Sequence, residues 1–319
     1  MKGLTDIAGI RVGHASDYEA LTGCTVILCE KGAVAGADIR GSASGTEEFQ
    51  VMSPLHITDA VHAVVLAGGS AFGLEAASGV RRYLEQKGVG FDTSAAKVPI
   101  VPCAILYDLG IGKPNVRPTR EMGEAAAAAA TADAVKEGAV GAGTGATVGK
   151  IFGPRRAMKS GLGSATVPLA GAYAGVSVAA LAVVNAFGDV RDPATGKLIA
   201  GARRSESAMQ LADTALEMKH GRRGGFHKEN TTLVVVATNA RLEKAQAIKL
   251  AQLAQNGVAH AVSPAHTMFD GDLVVALSLG AAEADVNALG VAAAEAAAEA
   301  IVRAVRLAPT LGGVPGLAG

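Results

Sequence analysis

Residues 229–242 read ENTTLVVVATNARL and join a polar loop to a strongly apolar run. The preceding residues, 219–230, are the least hydrophobic part of the chain, which predicts an exposed loop. Residues 232–238 are rich in β-branched side chains and predict a buried strand. Thr231 therefore stands where a polar loop ends and a buried strand begins.

The chemistry available to Thr231 makes this junction a candidate cleavage site. A threonine hydroxyl can attack the carbonyl of the preceding residue through a five-membered ring, and holding both groups in one chain gives a large effective molarity. Hydrolysis of the resulting ester would free the α-amino group of Thr231. With an unperturbed pKa of about 7.7 to 8.0, that amine suits the role of base for its own hydroxyl. The alternative is that Thr231 and Thr232 are two β-branched residues that simply open a strand.

Short β-branched runs alternate with longer alanine-rich runs along the chain, as in an α/β protein. The runs that predict strands are residues 25–30, 63–67, 99–106, 176–184, 232–238 and 273–279. The runs that predict helices are residues 72–85, 121–137, 205–217, 243–255 and 283–305. Between residues 144 and 190 several strands follow one another through glycine turns, which predicts antiparallel or mixed pairing rather than a Rossmann sheet.

Composition and charge narrow the function classes. Of 319 residues, 50% are hydrophobic and 18% are charged, which excludes a disordered chain and a coiled coil. Lys plus Arg and Asp plus Glu number 29 each, and aromatic residues make up 3% with no Trp. A chain without net positive charge or stacking surfaces is not expected to bind nucleic acid.

The cysteines and the apolar segments indicate in which cellular compartment the protein is expected. Cys24, Cys29 and Cys103 form no C-x-x-C pair, and the first residues carry Asp6 and Arg11 where a signal peptide has an apolar core. The uncharged residues 160–188 are mostly small, so we expect two buried strands there rather than a membrane span. These features predict a cytoplasmic protein without a membrane partner.

The histidines give no clear metal pattern. Their separations of six or seven residues differ from the i,i+4 spacing of a helical zinc site, so no metal cofactor is predicted. His266 near Asp270 and Asp272 is either a ligand set or part of a solvated turn.

Two glycine-rich segments suggest other functions. Residues 141–150, GAGTGATVGK, depart from the Walker pattern at Thr144 and Ile151, and they follow a predicted helix where a dinucleotide fingerprint follows a strand. They leave a nucleotide- or anion-binding module as an alternative to close backbone packing.

Residues 62–77, HAVVLAGGSAFGLEAA, place Ser70 between a strand and a helix, but Phe72 stands where a nucleophile elbow has Gly. Ser70 is therefore either a hydrolase nucleophile or a helix cap. Candidate bases for such a nucleophile are His220, His227, His260 and His266.

Eight segments spread over nearly the whole chain carry a family likeness. They are LTDIAGIRVGHA (4–15), DIRGSASGTEE (38–48), VVLAGGSAFGLEAASGV (64–80), PIVPCAILYDLG (99–110), GAGTGATVGK (141–150), AVVNAFGDV (182–190), ENTTLVVVATNARL (229–242) and PAHTMFDGDLVVAL (264–277). Together these segments resemble the DmpA-like family of self-cleaving amidases, the L-aminopeptidase/D-esterase group that also contains the nylon-oligomer hydrolases. The resemblance implies one domain over residues 1–319, folded as a four-layer α-β-β-α sandwich. It also implies cleavage between Asn230 and Thr231 into an α chain, 1–230, and a β chain, 231–319, with Thr231 as the nucleophile.

The resemblance also assigns the other site residues. Asn185 matches the asparagine whose side-chain amide stabilises the oxyanion. Lys150 matches a lysine beside the nucleophile, where a cation would hold the free α-amine neutral. Tyr107 matches a tyrosine that lines the site. Asp270 and Asp272 match an acidic pair that would orient the nucleophile, since two residues apart on a strand they share one face.

The threonine nucleophile and the acidic pair place the chain with the nylon-oligomer hydrolases rather than with the serine aminopeptidases. The implied activity is hydrolysis of small peptides, amino-acid amides or 6-aminohexanoate oligomers through an acyl-enzyme, without a metal or organic cofactor. An aminopeptidase and an acyltransferase of the same family are the alternatives. Family relatives imply a homo-oligomer of processed pairs, commonly a tetramer.

Overall fold

The computed structural model describes residues 1–222 and 230–318. The α-helices in these ranges are α1 (Ala76–Gln86), α2 (Arg120–Ala128), α3 (Thr214–Lys219), α4 (Lys244–Ala261) and α5 (Val286–Arg306). The strands are β1 (Arg11–Asp17), β2 (Thr22–Ile39), β3 (Gly45–Glu47), β4 (Val61–Ala67), β5 (Phe91–Asp92), β6 (Lys97–Val98), β7 (Cys103–Ile105), β8 (Thr147–Val148), β9 (Met158–Lys159), β10 (Leu162–Pro168), β11 (Ser177–Asn185), β12 (Asp189–Arg191), β13 (Leu198–Ala200), β14 (Thr231–Ala240), β15 (Val262–Ser263) and β16 (Leu273–Ala282).

The long strand β2 connects the two halves of the main sheet. Its first half pairs with β1 and β4, and its second half pairs with β16. One half of the sheet runs β10-β11-β14-β16, and the other continues from β2 through β4 and β7 to β3. Strands β11 and β14 are antiparallel, whereas β14 and β16 are parallel, so the predicted mixed pairing is confirmed.

Alternate side chains of these strands enter different apolar cores. Leu233 and Val235 of β14 pack with Val64 of β4 in a cluster between the two halves of the sheet. Val234 faces the opposite way, toward α4 and α5, and Val65 of β4 faces α1 and α2. Since side chains of a strand alternate between its two faces, this pattern stacks two sheet layers between two helical layers. The four-layer α-β-β-α sandwich is confirmed.

Most predicted strands and helices are present, but two helices are much shorter than predicted. The helix predicted at residues 121–137 ends with α2 at Ala128, because Thr131 instead pairs with Val12 of β1. The helix predicted at residues 205–217 begins only at Thr214, because Arg203 and Leu211 pair across the preceding turn. In both places backbone pairing with a distant or folded-back segment overrides helix propensity.

Other outcomes concern the less regular parts of the chain. The strand predicted at residues 99–106 is limited to β7, and β1 was not predicted. Residues 223–229, the larger part of the predicted polar loop, lie outside the described residues. None of the helices within residues 1–222 and 230–318 has the length and hydropathy needed to cross a bilayer.

Candidate active site

Thr231 begins β14, where this strand lies between β11 and β16. It pairs with Asn185 at the end of β11, and the preceding Asn230 forms a parallel bridge with Asp270 just before β16. Thr231 is 3% exposed and Asn230 is 1% exposed. The junction predicted from the sequence therefore lies inside the protein, where the surrounding strands fix its backbone.

The hydroxyl of Thr231 lies beside the carbonyl of the bond that would be cut. Thr231 Oγ1 donates a hydrogen bond of 2.5 Å to the carbonyl oxygen of Asn230. The backbone N–H of Gly271 donates to the same oxygen at 2.7 Å. The Asn230 side chain is held in turn, because its Nδ2 donates to the carbonyl of Phe269 at 3.1 Å. The Asn230 carbonyl oxygen thus accepts hydrogen bonds from the Thr231 hydroxyl and from the Gly271 N–H.

Within residues 1–222 and 230–318, the side-chain amide of Asn185 is oriented by three hydrogen bonds. Its Oδ1 accepts from the backbone N–H of Thr147 at 3.1 Å and from Lys150 Nζ at 2.8 Å. Its Nδ2 donates to the carbonyl of Tyr107 at 2.9 Å. Lys150 Nζ also donates to the carbonyl of Asn185 at 2.8 Å. Lys150 and Tyr107 therefore meet at Asn185, next to Thr231 in the register of β11 and β14.

A second lysine, which the sequence analysis did not single out, supports this arrangement. Lys159 is fully buried, and its Nζ donates to the carbonyls of Gly143, Ala146 and Ser160 at 3.2, 2.8 and 2.5 Å. Burial lowers the pKa of Lys159 to about 7. The ammonium fixes the glycine turn that ends at Thr147, the residue whose N–H orients Asn185.

Asp272 holds the backbone of the residue that follows Thr231. Its Oδ1 accepts from the N–H of Thr232 at 2.6 Å. Its Oδ2 accepts from the backbone N–H of His266 at 2.9 Å and lies 3.0 Å from His266 Nδ1. A Cβ on Gly41 would come within 2.2 Å of the Asp272 nitrogen, so only glycine lets this segment approach. Asp272 positions the strand that carries Thr231 and does not itself contact the threonine hydroxyl.

Asp270 accepts hydrogen bonds from groups other than those that bind Asp272. Its Oδ1 accepts from the N–H of Phe187 at 3.1 Å, and its Oδ2 accepts from Thr267 Oγ1 at 2.5 Å. The strand begins only at Leu273, so Asp270 and Asp272 precede it and do not lie on a strand as predicted. Within the described ranges, no three His, Cys, Asp or Glu side chains gather as metal ligands would.

The environment of Asp270 predicts a specific pH dependence of stability. Burial, followed by the nearby charge of Asp272, raises the pKa of Asp270 to about 6. The folded protein therefore keeps a proton on Asp270 that the unfolded chain loses near pH 4, and the associated stability is lost as the pH rises through about 6. Because asparagine cannot ionise, Asp270→Asn is expected to lose less stability than its parent as the pH rises through this range.

The measurement is the melting temperature from pH 4 to 8 for Asp270→Asn and its parent. Both are made in a Thr231→Ala background so that single chains are compared. The account predicts that the two curves diverge between pH 4 and 6 and run parallel above pH 7. Parallel curves over the whole range would show that Asp270 does not titrate in this window.

A cavity of about 580 Å³ opens beside these groups. Tyr107, Thr147 and Lys150 form its wall nearest Asn185, and Gly312, Gly313 and Val314 of the C-terminal segment form another part. A pocket of this size accommodates a small peptide or amide. It is lined by residues that surround the Asn185 amide.

The alternative nucleophile, Ser70, has no histidine partner in the part of the chain that the structure describes. It follows the turn Gly68–Gly69 with a φ of 54°, and its N–H donates to the carbonyl of Leu106 at 2.9 Å. Among the described residues no histidine hydrogen-bonds its side chain, and His227 lies outside them. The predicted helix cap is also not made, since the first turn after Gly69 has no side-chain cap.

Sequence reasoning missed the site's backbone donors. The N–H groups of Gly271 and Thr147 place hydrogen bonds on Asn230 and Asn185, but backbone groups leave no residue-type signal. His266 was considered as a metal ligand and as a base for Ser70, but not as a partner of Asp272, although both lie within the segment PAHTMFDGD.

Comparisons with known proteins give a consistent result. The family model of Peptidase family S58 matches residues 2–318. An uncharacterized aminopeptidase of Mycobacterium tuberculosis is 40% identical, and the alignment covers 99% of this chain and 96% of the relative. A 6-aminohexanoate-oligomer endohydrolase of a Kocuria species is 29% identical, covering 94% of this chain and 85% of the relative.

A solved structure shows the same fold. The L-aminopeptidase D-Ala-esterase/amidase from Ochrobactrum anthropi, described as a variant of the Ntn hydrolase fold, superposes with a TM-score of 0.74 at 18% identity. The superposition covers 98% of this chain and 88% of that one. The four-layer arrangement found here is therefore that of an Ntn hydrolase.

Proposed function

The chain belongs to Peptidase family S58 and is a hydrolase of peptide or amide bonds, and from this premise we propose that it cleaves itself and then uses Thr231 as an N-terminal nucleophile. The observation that carries the proposal is the position of the Thr231 hydroxyl, 2.5 Å from the carbonyl oxygen of Asn230. The Gly271 N–H on the same oxygen supports it, because the donor would stabilise negative charge that develops there.

The proposed self-cleavage has two steps. Thr231 Oγ1 attacks the Asn230 carbonyl carbon, the C–N bond breaks, and the hydroxyl proton is transferred to the departing nitrogen. This gives an ester between Asn230 and the Thr231 side chain. Water then hydrolyses the ester, which leaves a carboxylate on Asn230 and a free hydroxyl and α-amine on Thr231. The products are the chains 1–230 and 231–319.

Substrate hydrolysis would repeat this chemistry between molecules. The freed α-amine accepts the proton of Thr231 Oγ1 as the oxygen attacks the substrate carbonyl, and it returns the proton to the leaving amine. Asn185 Nδ2 donates to the oxyanion, because its Oδ1 is already fixed by Thr147 and Lys150. Lys150 adds positive charge near the α-amine and favours its neutral form. Water then releases the acyl group from Thr231.

The substrates we propose are small peptides, amino-acid amides and 6-aminohexanoate oligomers. The Kocuria relative is named for 6-aminohexanoate oligomers and the Mycobacterium relative for aminopeptidase activity, so both classes belong in the first assay. Acyl transfer to an amine is the second candidate, since an acyl-enzyme can react with an amine as well as with water.

Trapping the acyl-enzyme tests this function. A slowly hydrolysed ester of 6-aminohexanoate is mixed with the purified protein, the reaction is quenched with acid, and each chain is weighed. We expect the acyl mass on chain 231–319, mapped by peptide digestion to Thr231. Turnover without that mass, or an acyl group on Ser70, would contradict the proposal. Adding a competing amine distinguishes hydrolysis from acyl transfer, because only acyl transfer yields the acylated amine.

We further propose that processed α/β pairs assemble as a homo-oligomer, a tetramer by the family resemblance, without nucleic-acid or membrane partners. Three free, buried cysteines, Cys24, Cys29 and Cys103, support a reducing and therefore cytoplasmic setting. Sedimentation of the processed protein tests the assembly.

A further inference from the structure

The cavity beside Asn185 has an unusual balance of charge. Its charged lining residues are Asp108, Lys150 and Arg155. The chain as a whole has a formal net charge of +0, so an excess of cations in this pocket is a local feature. The question is which of these charges is left for a substrate.

The Asp108 carboxylate already accepts hydrogen bonds from other groups of the protein. Its Oδ1 accepts from the N–H of Gly69 and its Oδ2 from Thr22 Oγ1, each at 2.7 Å, and only 4% of the residue is exposed. Its carboxylate is therefore directed at the glycine turn after β4.

The Lys150 ammonium is also hydrogen-bonded within the protein, whereas the Arg155 guanidinium has no such bond among the described residues. The Lys150 ammonium donates to both oxygens of Asn185 at 2.8 Å. Arg155 is exposed, and in the described part of the chain its guanidinium makes no hydrogen bond or ion pair. Its backbone is fixed, because its carbonyl accepts from Arg203 Nη2 at 2.7 Å. Arg155 thus lines the cavity from a backbone that is held in place, and its guanidinium has no partner among the described residues.

From this arrangement we infer that the substrate carries a carboxylate, which binds Arg155 in the wall of the cavity. The inference rests on the proposed function and names the substrate class within it. A guanidinium suits this role because it binds a carboxylate through two parallel N–H bonds, and Lys150 strengthens the attraction for an anion. A free amino-acid product or the C-terminal end of a short oligomer has the required group.

The test uses matched substrates that differ only in a carboxylate or a carboxamide. One pair places the group on the amine side of the scissile amide, as in the 6-aminohexanoate dimer and its carboxamide. The other pair places it on the acyl side, as in a glutaryl anilide and its carboxamide. We expect one pair to show a KM about five- to tenfold lower for the carboxylate. In Arg155→Gln the ratio of the carboxamide KM to the carboxylate KM is expected to approach one.

Arg156→Gln is the matched control. It removes the same charge from the next residue, but Arg156 stacks over Phe152 and does not line the cavity. The carboxylate preference is expected to survive in this variant. Equal KM values within both pairs, or a preference that Arg155→Gln leaves unchanged, would overturn the inference while leaving the hydrolase intact.

A binding measurement keeps the inference testable without turnover. Calorimetry compares 6-aminohexanoate with 6-aminohexanamide, and glutarate with glutaramide, on the parent, Arg155→Gln and Arg156→Gln proteins. Tighter binding of one carboxylate that only Arg155→Gln abolishes would support the inference. Equal binding of both partners in each pair would overturn it, whether or not any substrate is hydrolysed.

Discussion

Replacing Thr231 by alanine is expected to give an uncut chain that has lost amide hydrolysis by a factor on the order of 10⁵. The variant removes the oxygen that lies 2.5 Å from the Asn230 carbonyl oxygen, and with it the nucleophile of both proposed reactions. Without cleavage the α-amine of residue 231 also stays locked in an amide, so the proposed base is lost as well. Gel electrophoresis reports the cleavage, and product release from 6-aminohexanoate oligomers reports the activity.

Two neighbouring variants control this prediction. Thr231→Ser keeps a hydroxyl and is expected to cut and to retain activity. Thr232→Val removes a buried hydroxyl that has no hydrogen-bond partner among the described residues, while the hydrogen bond from its N–H to Asp272 remains. It is expected to cut as the parent does. A fully active Thr231→Ala, or an uncut Thr232→Val alongside a cut Thr231→Ala, would rule out Thr231 as the nucleophile.

Replacing Asn185 by aspartate is expected to lower kcat by roughly 10²- to 10³-fold in a protein that still cuts itself. The substitution keeps Oδ1 as an acceptor for Thr147 and Lys150 but removes the Nδ2 donor. Hydrolysis depends on that donor, whereas the Asn230 carbonyl receives its hydrogen bonds from Gly271 and Thr231. The variant thus separates the two reactions.

Asn185→Ala provides the comparison, since it removes both the donor and the acceptor. We expect it to lose at least as much activity and also to lower the melting temperature, because the Lys150 ammonium loses a buried partner. Kinetics are measured only on protein whose cleavage has been confirmed by mass. Normal kcat in Asn185→Asp would remove Asn185 from the catalytic assignment.

The parts of this account that a sequence can predict are those with a residue-type signal. The apolar runs of β11, β14 and β16 predicted the central strands, and the junction at Thr231 followed from the polar residues before it. Periodicity also predicted α4 and α5. It failed beyond Ala128, because alanine favours a helix wherever it stands while the pairing of Thr131 with Val12 depends on a distant strand.

The contacts that would drive the chemistry are less visible in sequence. The Gly271 N–H on the Asn230 carbonyl and the Thr147 N–H on Asn185 are backbone groups, placed by the ends of strands and turns. Spacing predicted that Asp270 and Asp272 face one way. In the structure both residues precede the strand, and Asp270 accepts from the N–H of Phe187 whereas Asp272 accepts from the N–H of Thr232.

The most direct test of the central claim is the intact mass and amino-terminal sequence of the freshly purified parent protein. The account predicts two chains, 1–230 and 231–319, with threonine as the new amino terminus of the second. A single chain of 319 residues that persists after prolonged incubation and yet hydrolyses amides would contradict it.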